Sequence, residues 1–578
     1  MNLSPAESYA RVKLNNKYLK TKEFSESFPF ELDDFQIAAC HALESGKGVL
    51  VAAPTGAGKT IVGEFAVNLV INSGGKCFYT TPIKALSNQK FSELSDKYGS
   101  TRVGLLTGDT SINSEAQIVV MTTEVLRNMI YANSTTITDL KYVVMDEVHY
   151  LADKFRGAVW EEILIHLSEA VQVISLSATV SNAEEFGEWL QTVRGDTEVI
   201  VSETRPVPLY QHVLFGNRLI DLFGEGQRLN PELTKLERDT YRKIKGNWRD
   251  KPRGPRSLTR PEVIEKLERE SLLPAITFIF SRNSCDAAVR QCIASGIRLT
   301  NGKERQEIRD VVSRNIKSLA EEDLVVLGYY EWADALERGV AAHHAGLLPA
   351  FKVTVEELFQ RGLVKAVFAT ETLALGINMP ARTVVLEKLS KWNGEGHVAI
   401  SPGEYTQLTG RAGRRGIDIE GNAVILWGNE LDSTSVGGLA STRTYPLKSS
   451  FKPTYNMSIN LISQFGSERA RTSLESSLAQ FQADKAVVGL SRQIRKNEST
   501  RDALFTEAKC DKGDFTEYAK LRFEIKNLEN DSKRNKRKRL EIEDEIATIR
   551  KRLKNHSCHN CPDREHHSRL TERAFRLQ

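Results

Sequence analysis

Ala53-Pro54-Thr55-Gly56-Ala57-Gly58-Lys59-Thr60 decides the fold of this chain. Upstream, Val49, Leu50, Val51 and Ala52 form a short apolar run of the buried-strand type, and downstream Ile61-Val62-Gly63-Glu64-Phe65-Ala66 has helical spacing. That context makes the stretch a phosphate loop, the alternative being a glycine-rich turn between strand and helix. Backbone N–H groups must crowd around a bound triphosphate, and Gly56 and Gly58 admit conformations closed to other residues while leaving no Cβ in the way. Lys59 is placed to reach the β and γ phosphates, and the Thr60 hydroxyl to hold Mg2+. The helix starting near Lys59 directs its positive end at the same oxygens. One position departs from the general G-x-x-x-x-G-K-[ST] pattern: Ala53 stands where the first glycine is usual.

The 578 residues exceed a single core and imply several domains. Charge is balanced, 79 Lys and Arg against 75 Asp and Glu for a net +4, so any basic surface is local. Seven cysteines, scattered apart from one close pair, exclude a secreted disulfide framework. The opening Met1 to Glu7 lacks a charged region leading into an apolar core, and no run of about eighteen apolar residues occurs. The expectation is a soluble protein of a reducing cytoplasm, with no membrane partner.

Residues 1–30 are polar and read as an arm packed on the first domain. Gln36, just before a helix from Ile37 to Leu43, is a candidate adenine reader, since an amide pairs with both donor and acceptor on a base edge. Beyond the phosphate loop, helical and apolar segments alternate, which implies a mostly parallel sheet. Cys77-Phe78-Tyr79-Thr80 leads into Thr81-Pro82-Ile83-Lys84, and Ile118-Val119-Val120-Met121 into Thr122-Thr123-Glu124; such strand ends lie on the ligand face of these sheets. Tyr142-Val143-Val144-Met145 delivers Asp146 and Glu147 together. Two carboxylates at the end of a buried strand require a cation, which assigns Mg2+ to Asp146 and leaves Glu147 to orient or deprotonate the attacking water. Val173 to Thr179 is the next strand, ending in the hydroxyls of Ser177 and Thr179.

From Phe215 to about Leu272 the apolar pattern thins, and Tyr241 to Arg260 holds eight Lys/Arg against one Asp. This segment is either a phosphate-backbone contact or a solvated linker. A second α/β pattern follows: Ala275 to Phe280 ending in Ser281-Arg282, Val340 to Gly346, Lys365 to Thr370 and Thr383 to Leu386. It has no phosphate loop. Its chemistry resides in Gln407-Leu408-Thr409-Gly410-Arg411-Ala412-Gly413-Arg414-Arg415-Gly416, where Arg411 and Arg414, spaced by three, are expected on one helical face, offering guanidinium forks to a γ phosphate held by the other domain.

Ala53 to Thr60, Asp146-Glu147-Val148-His149 and Ser177-Ala178-Thr179 resemble motifs I, II and III of superfamily 2 helicases of the DExH-box class. Phe368 to Asn378 resembles motif V, and Gln407 to Gly416 motif VI. His343-His344-Ala345-Gly346-Leu347-Leu348-Pro349, Gly376-Ile377-Asn378-Met379-Pro380 and the doubled Arg414-Arg415 are similar to the superkiller (Ski-like) RNA helicases, most closely their bacterial HelY-type members. The histidine pair lacks convergent metal partners and reads as structural or interdomain.

The resemblance implies an α/β fold of two tandem RecA-like domains, at 31–205 and 273–430, separated by a basic linker or insertion at 206–272. A partial winged-helix region at 431–490 and a helical stalk at 491–556 would follow, with a Cys/His-containing tail at 557–578. It implies ATP and Mg2+ as ligands, Gln407 as a helper of the water, Arg411 and Arg414 as fingers, and His149, Ser177, Thr179 and Gly376 as coupling residues. It places a nucleic-acid strand over Pro82, Lys84, Thr122 and Thr123 on the first domain and over Ser281, Arg282 and Thr370 on the second. Lys388 to Ile400 carries a hairpin signal at Trp392 to Gly396, which similar helicases use to part a duplex and which otherwise is a plain surface hairpin. The implied activity is ATP-driven 3′ to 5′ movement on single-stranded or tailed duplex RNA, by a monomer with RNA-degradation partners. A DNA helicase and an ATP-switched RNA clamp or adaptor are the alternatives. Relatives carry a ratchet domain beyond the stalk, whereas this sequence stops at Gln578, either as a fragment or as a motor with a weaker stroke.

In the tail, Leu521, Ile525 and Leu528 share a heptad register with Ile542, Ile546, Ile549 and Leu553, interrupted by polar Ser532, Asn535 and Arg539. A helical hairpin turning near Asn530-Asp531-Ser532, with a basic tip at Lys533 to Arg539, is favoured over one long helix. Cys558-His559-Asn560-Cys561 is a C-x-x-C turn. A hairpin returns Cys510 to it, so that Cys510, Cys558, Cys561 and His566 could share a structural Zn2+; one straight helix of about forty residues would hold them roughly 60 Å apart. Reduced, partly buried thiols are the alternative.

Overall fold

The computed structural model describes residues 17–577 except 155, 225, 227, 246–256, 318, 375–378, 393–394, 429–431, 443–445 and 535–538. It divides into two compact units, 1–479 and 480–578.

In the first unit, eight strands form one sheet: β1 (Gly48–Ala52), β2 (Lys76–Thr81), β3 (Val103–Leu106), β4 (Ser111–Ile112), β5 (Ile118–Thr122), β6 (Leu140–Met145), β7 (Gln172–Ser177) and β8 (Thr197–Val201). Their order is β4-β3-β5-β2-β6-β7-β1-β8, parallel throughout except for β4. Helices cover both faces, which is why β1 reads as an unbroken apolar run: Val49, Leu50 and Val51 are fully buried. The helix Leu19–Glu26 docks through Phe24, whose ring meets Phe65 of the helix Thr60–Ser73.

The second sheet holds β9 (Leu209–Phe215), β10 (Arg218–Asp221), β11 (Ala275–Phe278), β12 (Val340–His343), β13 (Ala366–Ala369), β14 (Thr383–Leu386) and β17 (Gly421–Leu426), in the order β10-β9-β17-β14-β11-β13-β12. Part of the expected 206–272 linker therefore belongs to this domain. Strands β9 and β10 extend its edge, and the helix Arg260–Arg269 buries Val263, Ile264 and Leu267 in its core. Edge strands are half exposed, so the apolar signal that marks a central strand is weak there. Residues 246–256 of the basic segment lie outside the described residues. Strands β15 (Ser390–Trp392) and β16 (His397–Ala399) pair as the expected hairpin, with Trp392 exposed at its tip.

Among the described residues of 431–490 there are helices, Ser433–Ser441, Tyr455–Glu475 and the start of Leu478–Glu507, and no strand pair to form a wing. The wing of the expected winged-helix region is thus not seen there. Gly466 breaks the middle helix at φ 77°.

In the second unit, the helices Phe515–Arg534 and Arg539–Asn555 pack together as the favoured hairpin. The first continues past Ser532, so the turn lies later than expected; residues 535–538 of the tip are outside the described residues. His567, and not His566, faces the cysteines: His566 is exposed, and His567, about 100° round the helix Arg564–Phe575, is buried.

Candidate active site

Sheet register decides which strand ends meet. Ala52 pairs with Ser177 across β1 and β7, and Met145 with Ser175 across β6 and β7. The phosphate loop, the Asp146-Glu147 pair and Ser177-Ala178-Thr179 therefore emerge side by side. The phosphate loop and the Asp146-Glu147 pair face a cleft of about 580 Å³ lined by Lys59, Thr60, Asp146, Glu147, Arg411 and Arg414 among others.

Gly56 and Gly58 have φ of +83° and +85°, the left-handed conformations anticipated for the loop. A Cβ on Gly58 would lie 2.8 Å from Gln36 Nε2, so the loop closes only around glycine. Gln36 is fully buried and its amide is committed at both ends. Nε2 donates to the Gly58 carbonyl at 2.9 Å, and Oε1 accepts the Asp33 N–H at 2.9 Å. Rather than presenting a free amide to a base, it braces the loop. Lys59 donates to the Ala53 and Pro54 carbonyls at 2.8 and 3.1 Å. Burial lowers its pKa, against the pull of Glu147 and Asp146.

Asp146 accepts from the Tyr79 hydroxyl at 2.9 Å and from the Glu147 N–H at 2.9 Å. Burial, then the adjacent Glu147, raises its pKa to about 6. With the Thr60 hydroxyl it forms a hard oxygen donor set suited to Mg2+, whose charge would restore the carboxylate. Glu147 itself has φ 53° and ψ 44°, a left-handed backbone that costs a non-glycine residue about 1–2 kcal/mol. This turns its side chain away from the strand direction and toward His149.

His149 links the two domains. Its Nδ1 is 3.3 Å from a Glu147 carboxylate oxygen and 3.3 Å from the Ala178 nitrogen, and its Nε2 is 2.8 Å from the amide nitrogen of Gln407. Burial, with Lys59 nearby, lowers its pKa to about 3, so the ring is neutral. With the Ala178 N–H donating to Nδ1, the ring carries its proton on Nε2 and donates it to the amide oxygen of Gln407; with Gln407 donating to Nε2, the proton sits on Nδ1, turned to Glu147, and the Ala178 N–H loses its acceptor. The Ser177 hydroxyl is buried without a protein partner beside this network, and Thr179 is buried next to it. Gly376 lies outside the described residues.

The arginines are not on a helical face as expected. The helix Pro402–Thr409 ends before them, and Gly413 at φ +86° turns the chain out of helical geometry. The segment runs instead beside Ala381, whose N–H donates to the Arg411 carbonyl at 2.9 Å and whose carbonyl accepts the Gly413 N–H at 2.7 Å. Arg411 is half-buried, donates to the Ala374 carbonyl at 2.6 Å, and has its pKa lowered by desolvation against the attraction of Glu147. Arg414 is forked onto Asp418, at 2.7 and 2.9 Å.

The profile of the DEAD/DEAH box helicases matches residues 33–186, and that of the helicase conserved C-terminal domain matches residues 276–416. This chain belongs to the DEAD/DEAH-box helicases. Over 521 residues, 87% of this chain and 57% of the relative, it is 59% identical to the probable helicase HelY of Mycobacterium tuberculosis. It is 35% identical to the DExH-box ATP-dependent RNA helicase DExH10 of Arabidopsis thaliana, over 87% of this chain and 52% of that protein. With the antiviral helicase SKI2 of Saccharomyces cerevisiae it shares 36% identity, over 78% of this chain and 40% of that one. The chain spans about half the length of these curated relatives.

ATP-dependent helicase domains are thus present, and their strand ends place the expected nucleic-acid residues on one edge of each sheet. Pro82 follows β2 and Thr122 ends β5; Ser281 follows β11 and Thr370 follows β13. Thr122 and Ser281 stand at the N-caps of the helices Thr123–Tyr131 and Arg282–Ala294. Thr123 is buried and donates its hydroxyl to the Thr81 carbonyl at 3.1 Å, so it shapes the turn rather than facing outward. Lys84 is exposed and paired with Asp109. His343 and His344 bond Glu356 and Asp286 within their own domain, at 2.8 and 2.9 Å, in keeping with a structural role.

Two helicase residues escaped the sequence reading. Arg415 donates to the Ala57 carbonyl at 2.9 Å and to Asp33 at 3.0 Å, joining the second domain to the phosphate loop; the spacing rule that selected Arg411 and Arg414 passes over it. Arg205 grips the Gly410 and Ala412 carbonyls, and burial lowers its pKa to about 10. No motif marks it, since its partners are backbone atoms. Among the described residues no helix is long and apolar enough to cross a membrane.

Proposed function

We propose that this chain is an ATP-dependent RNA helicase, moving 3′ to 5′ on a single strand and unwinding or remodelling RNA. The observation that supports this most strongly is the network from Glu147 through His149 to Gln407, which joins the water-activating carboxylate of one domain to the arginine-bearing segment of the other. Glu147 takes the proton of the attacking water; Arg411 presents its guanidinium to charge developing on the γ phosphate; Lys59 moves from the loop carbonyls to the phosphates. Thr60 and Asp146 would hold Mg2+, which would neutralise charge on the phosphate oxygens. Because the contacts of Gln407 and Arg411 depend on the state of the cleft, hydrolysis alters how the domains are held, and a strand lying over Pro82, Lys84 and Thr122 on one domain and Ser281, Arg282 and Thr370 on the other is passed along. Ser177 and Thr179 lie between cleft and strand and act as coupling positions. Lys391, paired with Glu371 at 2.7 Å, anchors the hairpin that carries Trp392, a wedge for a duplex end. RNA is preferred as the substrate because similar proteins such as DExH10 are named RNA helicases, and the working environment inferred is the cytoplasm.

The test is steady-state ATP hydrolysis by this chain with and without single-stranded RNA or matched DNA, together with unwinding of a 3′-tailed duplex. Stimulation by RNA with unwinding supports the proposal. Equal stimulation by DNA refutes RNA preference, and stimulation without unwinding favours an ATP-switched clamp.

A further inference from the structure

The second unit has a small core: Phe515, Tyr518, Ala519 and Cys558 are its buried centre, with Leu553, Cys510, Cys561 and Phe575 packed around them. Two tight turns meet there. In the first, Cys510 bridges Gly513, whose N–H donates to the Cys510 carbonyl at 3.3 Å, and the N–H groups of Lys512 and Gly513 are directed at the Cys510 sulfur. In the second, the turn Ser557–Asn560 brings the Cys561 N–H to the Cys558 carbonyl at 3.2 Å, and the Asp563 N–H faces the Cys561 sulfur.

The side chains converge. The ligand atoms of Cys510, Cys561 and His567 lie within 4.8 Å of one another, with Cys561 Sγ 3.8 Å from His567 Nδ1. A tetrahedral zinc with its usual bond lengths separates sulfur from sulfur or nitrogen by about 3.6–3.8 Å. Cys558 is fully buried, and its side chain interacts with that of Cys510, which makes it the candidate for the fourth ligand. Gly513 is packed so closely that a Cβ there would lie 2.2 Å from Ser557 Oγ and 3.3 Å from Cys558 Sγ, so the two turns interlock. The three cysteines and the histidine come from segments separated in sequence by the long hairpin.

We propose that Cys510, Cys558, Cys561 and His567 hold one structural Zn2+ at the base of the helical hairpin. The ion ties three segments together: the turn before the helix Phe515–Arg534, the turn after Arg539–Asn555, and the helix Arg564–Phe575. A core this small gains much of its order from such a staple.

The experiment is metal analysis of the full chain, expressed with zinc and purified without chelators, followed by exchange of the metal for cobalt. The expected result is one zinc per chain and a cobalt spectrum with tetrahedral ligand-field bands and thiolate charge transfer of three-sulfur intensity. Cys510→Ser and His567→Ala should lose metal at least about 10-fold more readily to a competing chelator, while Cys292→Ser, buried in the second α/β domain, should behave as the parent. The cobalt spectrum of the parent reads the donor set even where a variant fails to fold. A chain without zinc that takes up no cobalt, an iron–sulfur chromophore, a disulfide between these cysteines, or metal loss equal in Cys292→Ser would each overturn the proposal.

Discussion

His149 Nε2 lies 2.8 Å from the amide of Gln407, so a buried ring of the first domain is in direct contact with the arginine-bearing segment of the second. With its pKa lowered to about 3, the imidazole carries no charge at neutral pH and serves as a positional link rather than a proton acceptor for water. His149→Ala and Gln407→Ala should each slow nucleic-acid-stimulated ATP hydrolysis, and the double variant should be little worse than either. A coupling energy of about 1 kcal/mol or more is expected from the double-mutant cycle. The parent's kcat should show no ionisation from this histidine between pH 5 and 9. Additive losses would place the two residues in separate roles.

Glu147→Gln should keep ATP binding and lose turnover by roughly 10²–10⁴-fold, because an amide of equal size keeps the contact to His149 but cannot take the proton. Nucleotide affinity measured by fluorescence titration and single-turnover hydrolysis separate the two effects. Normal hydrolysis by this variant would remove Glu147 from the water-activating role.

Arg411 and Arg415 should fail differently. Arg411→Ala removes a guanidinium beside Glu147 and should lower kcat by about 1000-fold with a small change in KM for ATP. Arg415→Ala severs the links to Ala57 and Asp33, and should raise KM for ATP while kcat falls less. Steady-state kinetics at saturating RNA distinguish the patterns; the same kcat loss in both would mean that Arg415 also acts on the reacting phosphate.

What was legible in the sequence follows from how narrowly physics restricts each position. The phosphate loop needs Gly56 and Gly58 at positive φ, and Asp146-Glu147 needs a buried strand end, so composition and order disclose both. The arginine segment misled because a spacing of three fits a helix equally well; the positive φ of Gly413 and the hydrogen bonds to Ala381 show that the helix has ended. Strands β9 and β10 were concealed because they lie at the margin of the sheet, β10 as its edge strand and β9 next to it with Tyr210 exposed. His566 and His567 are adjacent, so loop spacing could not choose between them, and the face of a helix did. Arg205 and Gln36 act on backbone carbonyls, which leave no partner side chain to find.

Glu161 sets a pH dependence of stability. It lies in the helix Ala158–His166, accepts from the Ser449 hydroxyl, and accepts the N–H of Leu478 at 2.8 Å, where the helix Leu478–Glu507 begins. Burial outweighs these donors and raises its pKa to about 7. A carboxyl whose folded pKa exceeds its unfolded value of 4.5 favours the folded state most when protonated. Its contribution is full below pH 4.5 and is lost as pH rises through 7, amounting to about 3 kcal/mol over the window. Glu161→Gln keeps an acceptor oxygen without the ionisation, so the variant should gain stability relative to the parent as pH rises from 5 to 8. Paired thermal melts across that range isolate this group from Asp146, which titrates in both proteins. Parallel pH profiles for the two would show that the donors at Ser449 and Leu478 hold Glu161 charged throughout.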